Sequence, residues 1–143
     1  MKFPQLRTAL LLALLIAGGC DQKKNGPERA AVSGRVTVDG QPIEQGSIGF
    51  FPSGSASGMT SGGPIQNGQF SIPLQTGPIV GPNRVQIHAA RKTGRQVPAA
   101  LGQPGQMEEE QVEAIPPRYN SASTLQCEIT SGSNQQNFEL TSK

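Results

Sequence analysis

From residue 31 onward the apolar residues of this chain recur at every second position, in short runs separated by turn signals, and that period dictates β-structure. Val32, Val36 and Val38 alternate with Ser33, Arg35 and Thr37. An alternation of this kind lines one face of a half-buried strand. Asp39-Gly40 follows, a dipeptide that tolerates the positive φ angles of a tight hairpin turn. A second apolar run, Ser47 to Phe51, stops at Pro52. Asn67-Gly68 marks another hairpin, leading into Gln69 to Leu74 with Phe70, Ile72 and Leu74 expected inside. Pro73 breaks the hydrogen-bonding pattern there, which implies an edge or a strand end. Arg84 to Ala90 alternates again with Val85, Ile87 and Ala89 inward, and Leu125, Cys127 and Ile129 repeat the pattern. Ser131 to Gln136 reads as a turn, and Phe138 and Leu140 close the core. About seven short strands with turns between them form a sandwich pattern.

Two stretches break the alternation. Ser53 to Gly63 (SGSASGMTSGG) has almost nothing to bury and reads as a mobile loop. Arg91 to Pro117 is the longest aperiodic stretch, with several prolines and the acidic run Glu108-Glu109-Glu110. Loops of that length are functional or disordered in compact domains. A short helix over Met107–Ala114 is the one regular element its sequence suggests.

The N-terminus is of a different kind. Lys2 and Arg7 precede the wholly apolar Ala9–Ala17, and Gly18, Gly19 and Cys20 follow at once. A basic start, an apolar core and small residues before a cut make a secretory signal. The apolar run falls short of the roughly 20 residues needed to span a bilayer. Residues 1–19 are therefore read as a signal peptide, 20–30 as a polar tether and 31–143 as the domain. Without Lys2 and Arg7 the ten remaining cations balance the ten acids, so no basic face invites nucleic acid.

Ala17-Gly18-Gly19-Cys20 resembles a lipobox, the processing site of bacterial lipoproteins, although such sites favour Leu or Val where Ala17 stands. The resemblance implies a diacylglycerol thioether on Cys20, cleavage before it, and palmitate-type acylation of the new amino group. It places the chain at the bacterial cell envelope outside the cytoplasm, with membrane lipid as its first partner. Asp21 resembles an inner-membrane retention signal, but the choice between inner and outer membrane stays open. Lipidation would leave Cys127 without an intramolecular partner. An unlipidated secreted chain would instead allow a Cys20–Cys127 disulfide.

The domain also resembles a known family. Val32-Ser33-Gly34-Arg35-Val36-Thr37-Val38-Asp39-Gly40-Gln41-Pro42-Ile43 is similar to the opening of carboxypeptidase regulatory-like domains. Ile48 to Phe51, Asn67-Gly68-Gln69-Phe70-Ser71-Ile72 and Asn83-Arg84-Val85-Gln86-Ile87 resemble the following landmarks. Ile115-Pro116-Pro117-Arg118-Tyr119-Asn120-Ser121 and Asn137-Phe138-Glu139-Leu140 resemble a group of short bacterial lipoproteins built on such a domain. The resemblance implies a seven-stranded antiparallel β-sandwich of the transthyretin (prealbumin) type. It also implies a non-catalytic module for structure or protein interaction.

The residues themselves offer few reactive groups. His88, the single histidine, lies on a strand's polar face, whereas transthyretin-like hydrolases use several. Cys127 alternates with apolar neighbours and reads as a buried, inert thiol. Glu108, Glu109, Glu110 and Glu113 supply the hard oxygens calcium prefers, yet their spacing matches no loop motif. Arg35 stands in the first strand with no lysine there for an isopeptide crosslink. Tyr119, the only tyrosine, could meet a glycan or protein beside Arg118 and Asn120, or pack over the end of the sandwich. The expectation is a chain with no catalytic residue, metal or cofactor, and with a structural or protein-interaction role. The alternative is a binder of carbohydrate or another small ligand through loops 53–63 and 91–117.

Overall fold

In the computed structural model, which describes residues 26–143, the alternating runs become strands. They are β1 (Ala31–Val38), β2 (Gln41–Pro42), β3 (Gln45–Pro52), β4 (Ser61–Gln66), β5 (Gln69–Ile72), β6 (Gly81–His88), β7 (Ala90–Pro98), β8 (Met107–Glu113), β9 (Gln126–Ile129), β10 (Ser133–Gln135) and β11 (Phe138–Leu140). A single 3-10 turn, Pro117–Tyr119, precedes β9.

Both hairpin turns form where the dipeptides placed them. Val38 pairs with Gln41 across Asp39-Gly40, and Gln66 pairs with Gln69 across Asn67-Gly68. Asp39 and Asn67 each adopt φ 49°, followed by φ 80° at Gly40 and 74° at Gly68. Two successive positive φ angles give the turn the twist that antiparallel strands need.

The main sheet runs β10-β1-β5-β4-β3-β6-β9, with β2 and β11 also bonded to β1. Only β10 and β11 run parallel to their neighbour; the other pairs are antiparallel. Its two ends are joined by nothing more than residues 130–132. Laid flat, the six strand spacings would separate those ends by about 29 Å, whereas the four Cα steps from Ile129 to Ser133 reach at most about 14 Å. The sheet must therefore curl on itself. It does so as an open half-barrel, and the Gln136 side-chain amide donates to the Glu128 carbonyl (3.2 Å) across the gap.

One core fills the curl. Val32, Val36, Ile48, Phe50, Ile65, Phe70, Ile72, Val85, Ile87, Ile129, Phe138 and Leu140 are all buried. Phe70 links the halves, with ring centroids 6.1 Å from Phe50 and 6.3 Å from Phe138. Gly34 occupies the inward position between Val32 and Val36. A side chain there would run into the carbonyl of Gln136, where the chain passes from β10 to β11.

The strands give the molecule two poles. β1, β4, β6 and β11 end at one; β3, β5 and β9 end at the other, as their registers require. The N-terminal segment enters at the latter, the entry pole. Val80 N–H donates to the Glu28 carbonyl (2.9 Å), Ala30 N–H donates to the Pro78 carbonyl (3.0 Å), and Arg29 bridges Ile79. Buried Asn83 holds the bend there by donating to the Ile79 (2.8 Å) and Gly81 (3.0 Å) carbonyls.

Several expectations need correction. The body begins at Glu28 rather than Ala31, because Ala30 is buried and paired; tether residues 20–25 lie outside the described residues. β4 begins at Ser61, so the 53–63 loop is shorter than its composition suggests. Glycines at 62 and 63 suit close strand packing, since a Cβ at Gly62 would press on the Ile48 carbonyl. β5 stops at Ile72 because Pro73 starts a turn (Thr76 N–H to Pro73 carbonyl, 3.2 Å), leaving Leu74 exposed rather than inside. Residues 133–135 form β10 rather than a turn. Most consequential, Arg91–Pro117 is not an aperiodic loop, and Met107–Ala114 is not a helix: β7 and β8 form a separate two-stranded arm.

Candidate functional site

The arm leaves the body at the pole opposite the N-terminal entry, directly after His88, and returns at Ala114. β7 carries Arg91, Lys92 and Arg95; β8 carries Glu108, Glu109, Glu110 and Glu113. Opposite charges meet across the ribbon: Lys92 Nζ lies 3.2 Å from Glu109, and Arg95 lies 3.4 Å from Glu110. Thr93 donates to Glu110 (2.9 Å), and the Glu108 carboxylate accepts from Ala100 N–H (3.2 Å). Successive strand residues point to opposite faces, so Glu109 faces away from Glu108 and Glu110. These carboxylates hold a ribbon together and do not converge on a cation. Among the described residues no three His, Cys, Asp or Glu side chains are grouped to hold a metal.

A single carboxylate fixes the base of the arm. Glu113 accepts from Ala89 N–H (3.0 Å), where the chain leaves the body, and from Ile115 N–H (3.0 Å), where it returns. Its other oxygen lies 2.9 Å from His88 Nδ1. Partial burial raises the carboxyl pKa, but the Ile115 and Ala89 amides and His88 outweigh it, holding Glu113 below its ordinary 4.5. A lowered folded value means the tie is intact above the ordinary carboxylate range and is lost as pH falls through the folded pKa. Glu113→Ala should therefore cost about 1 kcal/mol, a charge-assisted bond set discounted for exposure. Hydrogen exchange at amides 90–113 should quicken while β1 and β6 stay protected. Unchanged arm exchange would refute the tie.

His88 thus has a structural partner, at the exposed end of β6. Cys127 lies half-buried against the core, and burial, with the charge of Glu128, pushes its thiol up to about 11. So high a pKa suppresses the reactive thiolate. Tyr119 packs over the end of the core, with the Arg118 guanidinium 4.8 Å from its ring. Its hydrogen bond with Thr141, aided by Arg118, lowers the phenol to about 8. Arg35 is exposed on β1, and its N–H donates to the Asn137 side chain (3.0 Å). Cys20 lies outside the described residues. Among the described residues no helix is long and apolar enough to cross a membrane.

The two loops singled out for ligand binding do not meet. Residues 53–60 follow β3 at the entry pole, where Ser53 N–H donates to the Pro82 carbonyl (2.9 Å). The arm stands at the other end of the same strand, so no single site can draw on both. Beside the arm's base lies a groove of about 660 Å³, lined by Val38, Ile43 and Ile115 and equally by the polar Glu44, Arg91 and Lys92. A hollow of about 800 Å³ lies at the entry pole and is lined by Gly26 itself, the first described residue.

The arm was the feature that sequence reasoning missed. Its apolar alternation is nearly absent, and of its apolar strand residues only Val97 and Val112 are half-buried. The available signal was charge: a basic run and an acidic run flanking Pro98 to Gln106, as a hairpin would place them. Comparison with family models, curated proteins and solved structures found no match for this chain.

Proposed function

We propose that this chain is a non-catalytic, lipid-anchored module of the bacterial cell envelope, and that its β7–β8 arm is the element that meets a protein partner. The arm carries the reading. It buries none of its own residues fully, no other strand among the described residues pairs with it, and its tip exposes Leu101 completely. A two-stranded ribbon alone is marginally stable in water, so a partner strand or surface would supply what the body does not. The hydrogen-bonded His88 and the high thiol pKa of Cys127 support a non-catalytic reading. The anchor rests on the sequence through Cys20, and the finer family assignment, a carboxypeptidase regulatory-like domain of prealbumin type, rests on the motifs quoted above. The curled all-β sheet is compatible with that assignment.

The intact mass of membrane-extracted protein tests the anchor. The expected chain starts at Cys20 and carries diacylglycerol, with or without further acylation; Cys20→Ser should lose the modification and leave the membrane fraction. An unlipidated mature chain, soluble in both cases, would sink the anchor and restore a Cys20–Cys127 disulfide as the alternative.

A further inference from the structure

We infer that the partner of the arm is a second copy of this chain, paired antiparallel along the free edge of β7 around a twofold axis through Gly94. This inference takes up the interaction reading above and names the partner; it does not depend on the lipid anchor.

Among the described residues β7 and β8 pair only with each other, which leaves the arm two free edges. Unpaired edges are templates for another strand, and charge decides between them. Antiparallel pairing of β7 with its copy about Gly94 places Arg91 opposite Val97 and Lys92 opposite Gln96, on either side of the bulge at residues 93–95. Arg91 and Lys92 then each face an uncharged residue, and Arg95 stays on the bulge, 3.4 Å from Glu110 of its own arm. The equivalent pairing of β8 about its centre places Glu110 opposite Glu110, and like charges directly opposite are destabilising. A β7-to-β8 contact would leave both outer edges open and grow without closing, whereas the twofold pairing is complete at two copies.

The tip supports the same geometry. Residues 96–107 (QVPAALGQPGQM) contain no charge, and they expose Leu101 and half of Met107. In this register Pro98 lies opposite Ala90 of the copy. The tip, residues 99–106, therefore overhangs the other copy's arm base, where the groove floored by Ile43 and Ile115 lies. β7 faces β8 from Met107 to Glu113, so it spans about 20 Å from base to tip in either copy, and the twofold axis brings each tip to the other's arm base. The uncharged tip thus meets a groove that offers Ile43 and Ile115 beside the charged Glu44, Arg91 and Lys92. The bulge between Lys92 and Gln96 leaves space at the axis, since a Cβ at Gly94 meets nothing within 4 Å.

Cysteine crosslinking of the full chain in its membranes tests this, in a Cys127→Ser parent that should itself stay monomeric under a mild oxidant. Directly opposed antiparallel residues bring Cα atoms to about 4.5–5.5 Å, inside disulfide range. Gly94→Cys should give a disulfide dimer at about tenfold the yield of Glu110→Cys on β8. Position 94 has a positive φ and lies in the bulge, so Arg91→Cys/Val97→Cys serves as the second variant. Its two cysteines stand opposite Val112 and Glu108, four residues apart on β8 and about 13 Å from each other, so they face each other only between copies. Dimer from either β7 variant with little from Glu110→Cys supports the pairing. No dimer from both β7 variants overturns it, and so does equal yield on β7 and β8, which would mean random collision. Either failure leaves the anchor reading untouched if the intact mass still carries lipid.

Discussion

Gly34→Val is expected to abolish the folded state, and Gly34→Ala to remove about 3 kcal/mol or more of a total near 5–15 kcal/mol. The reason is steric and local. A Cβ at Gly34 would overlap the Gln136 carbonyl and crowd the Phe70 ring edge. The carbonyl cannot retreat cheaply. Gln136 N–H donates to the Ser33 carbonyl (2.9 Å), and its side chain donates to Glu128 across the gap in the barrel. Moving this segment would strip β10 and β11 from β1 and reopen the curl. Gly40→Ala is the control: its φ of 80° is strained for any side chain, but a Cβ there meets nothing. It should cost only about 1–2 kcal/mol. Urea midpoints for the three variants decide the matter, and equal losses at positions 34 and 40 would show that backbone conformation, not the Gln136 contact, sets the requirement.

The second large effect is expected at Phe50. It is fully buried and stacks in a tilted pair with Phe70, so Phe50→Ala should remove about 3–5 kcal/mol through lost transfer energy and the cavity left behind. The adjacent Phe51 points outward, half-exposed, with the Arg84 guanidinium 5.0 Å over its ring. Phe51→Ala should cost about 1 kcal/mol, the scale of an exposed cation–π contact plus partial burial. Thermal or urea unfolding of the pair reads the facing of β3 directly. A larger loss at Phe51 would mean that β3 is out of register by one residue, which would exchange every inward side chain on it.

The parts of this fold legible in the sequence were those where one physical signal acts alone. Asp39-Gly40 and Asn67-Gly68 announced their turns because few other dipeptides accept two positive φ angles. Val85 and Ile87 announced an inward face because one side of β6 is core and the other is not. The strand of Ser61–Gln66 stayed hidden because glycines at 62 and 63 remove the side chains that would have shown a period. β7 and β8 stayed hidden for a related reason: an arm with little core to face has no apolar side, so periodicity says nothing and only the Lys92–Glu109 and Arg95–Glu110 complementarity marks it. The topology was out of reach for a third reason. That β10 lies beside β1 depends on an absence at Gly34, and no pattern of hydrophobicity records an absence.

The placement of entry and arm at opposite poles has a consequence for encounter between copies. The proposed anchoring at Cys20 would confine every copy to one plane and bring the arms to similar heights above it. On that proposal, a flexible tether of about eight residues would give a reach near 16 Å, which limits the spread in height. Pairing then becomes a two-dimensional search among surfaces already aligned in height. A contact too weak to persist between freely diffusing molecules would become populated as surface density rises, so the same arm would be single on a sparse membrane and paired on a crowded one.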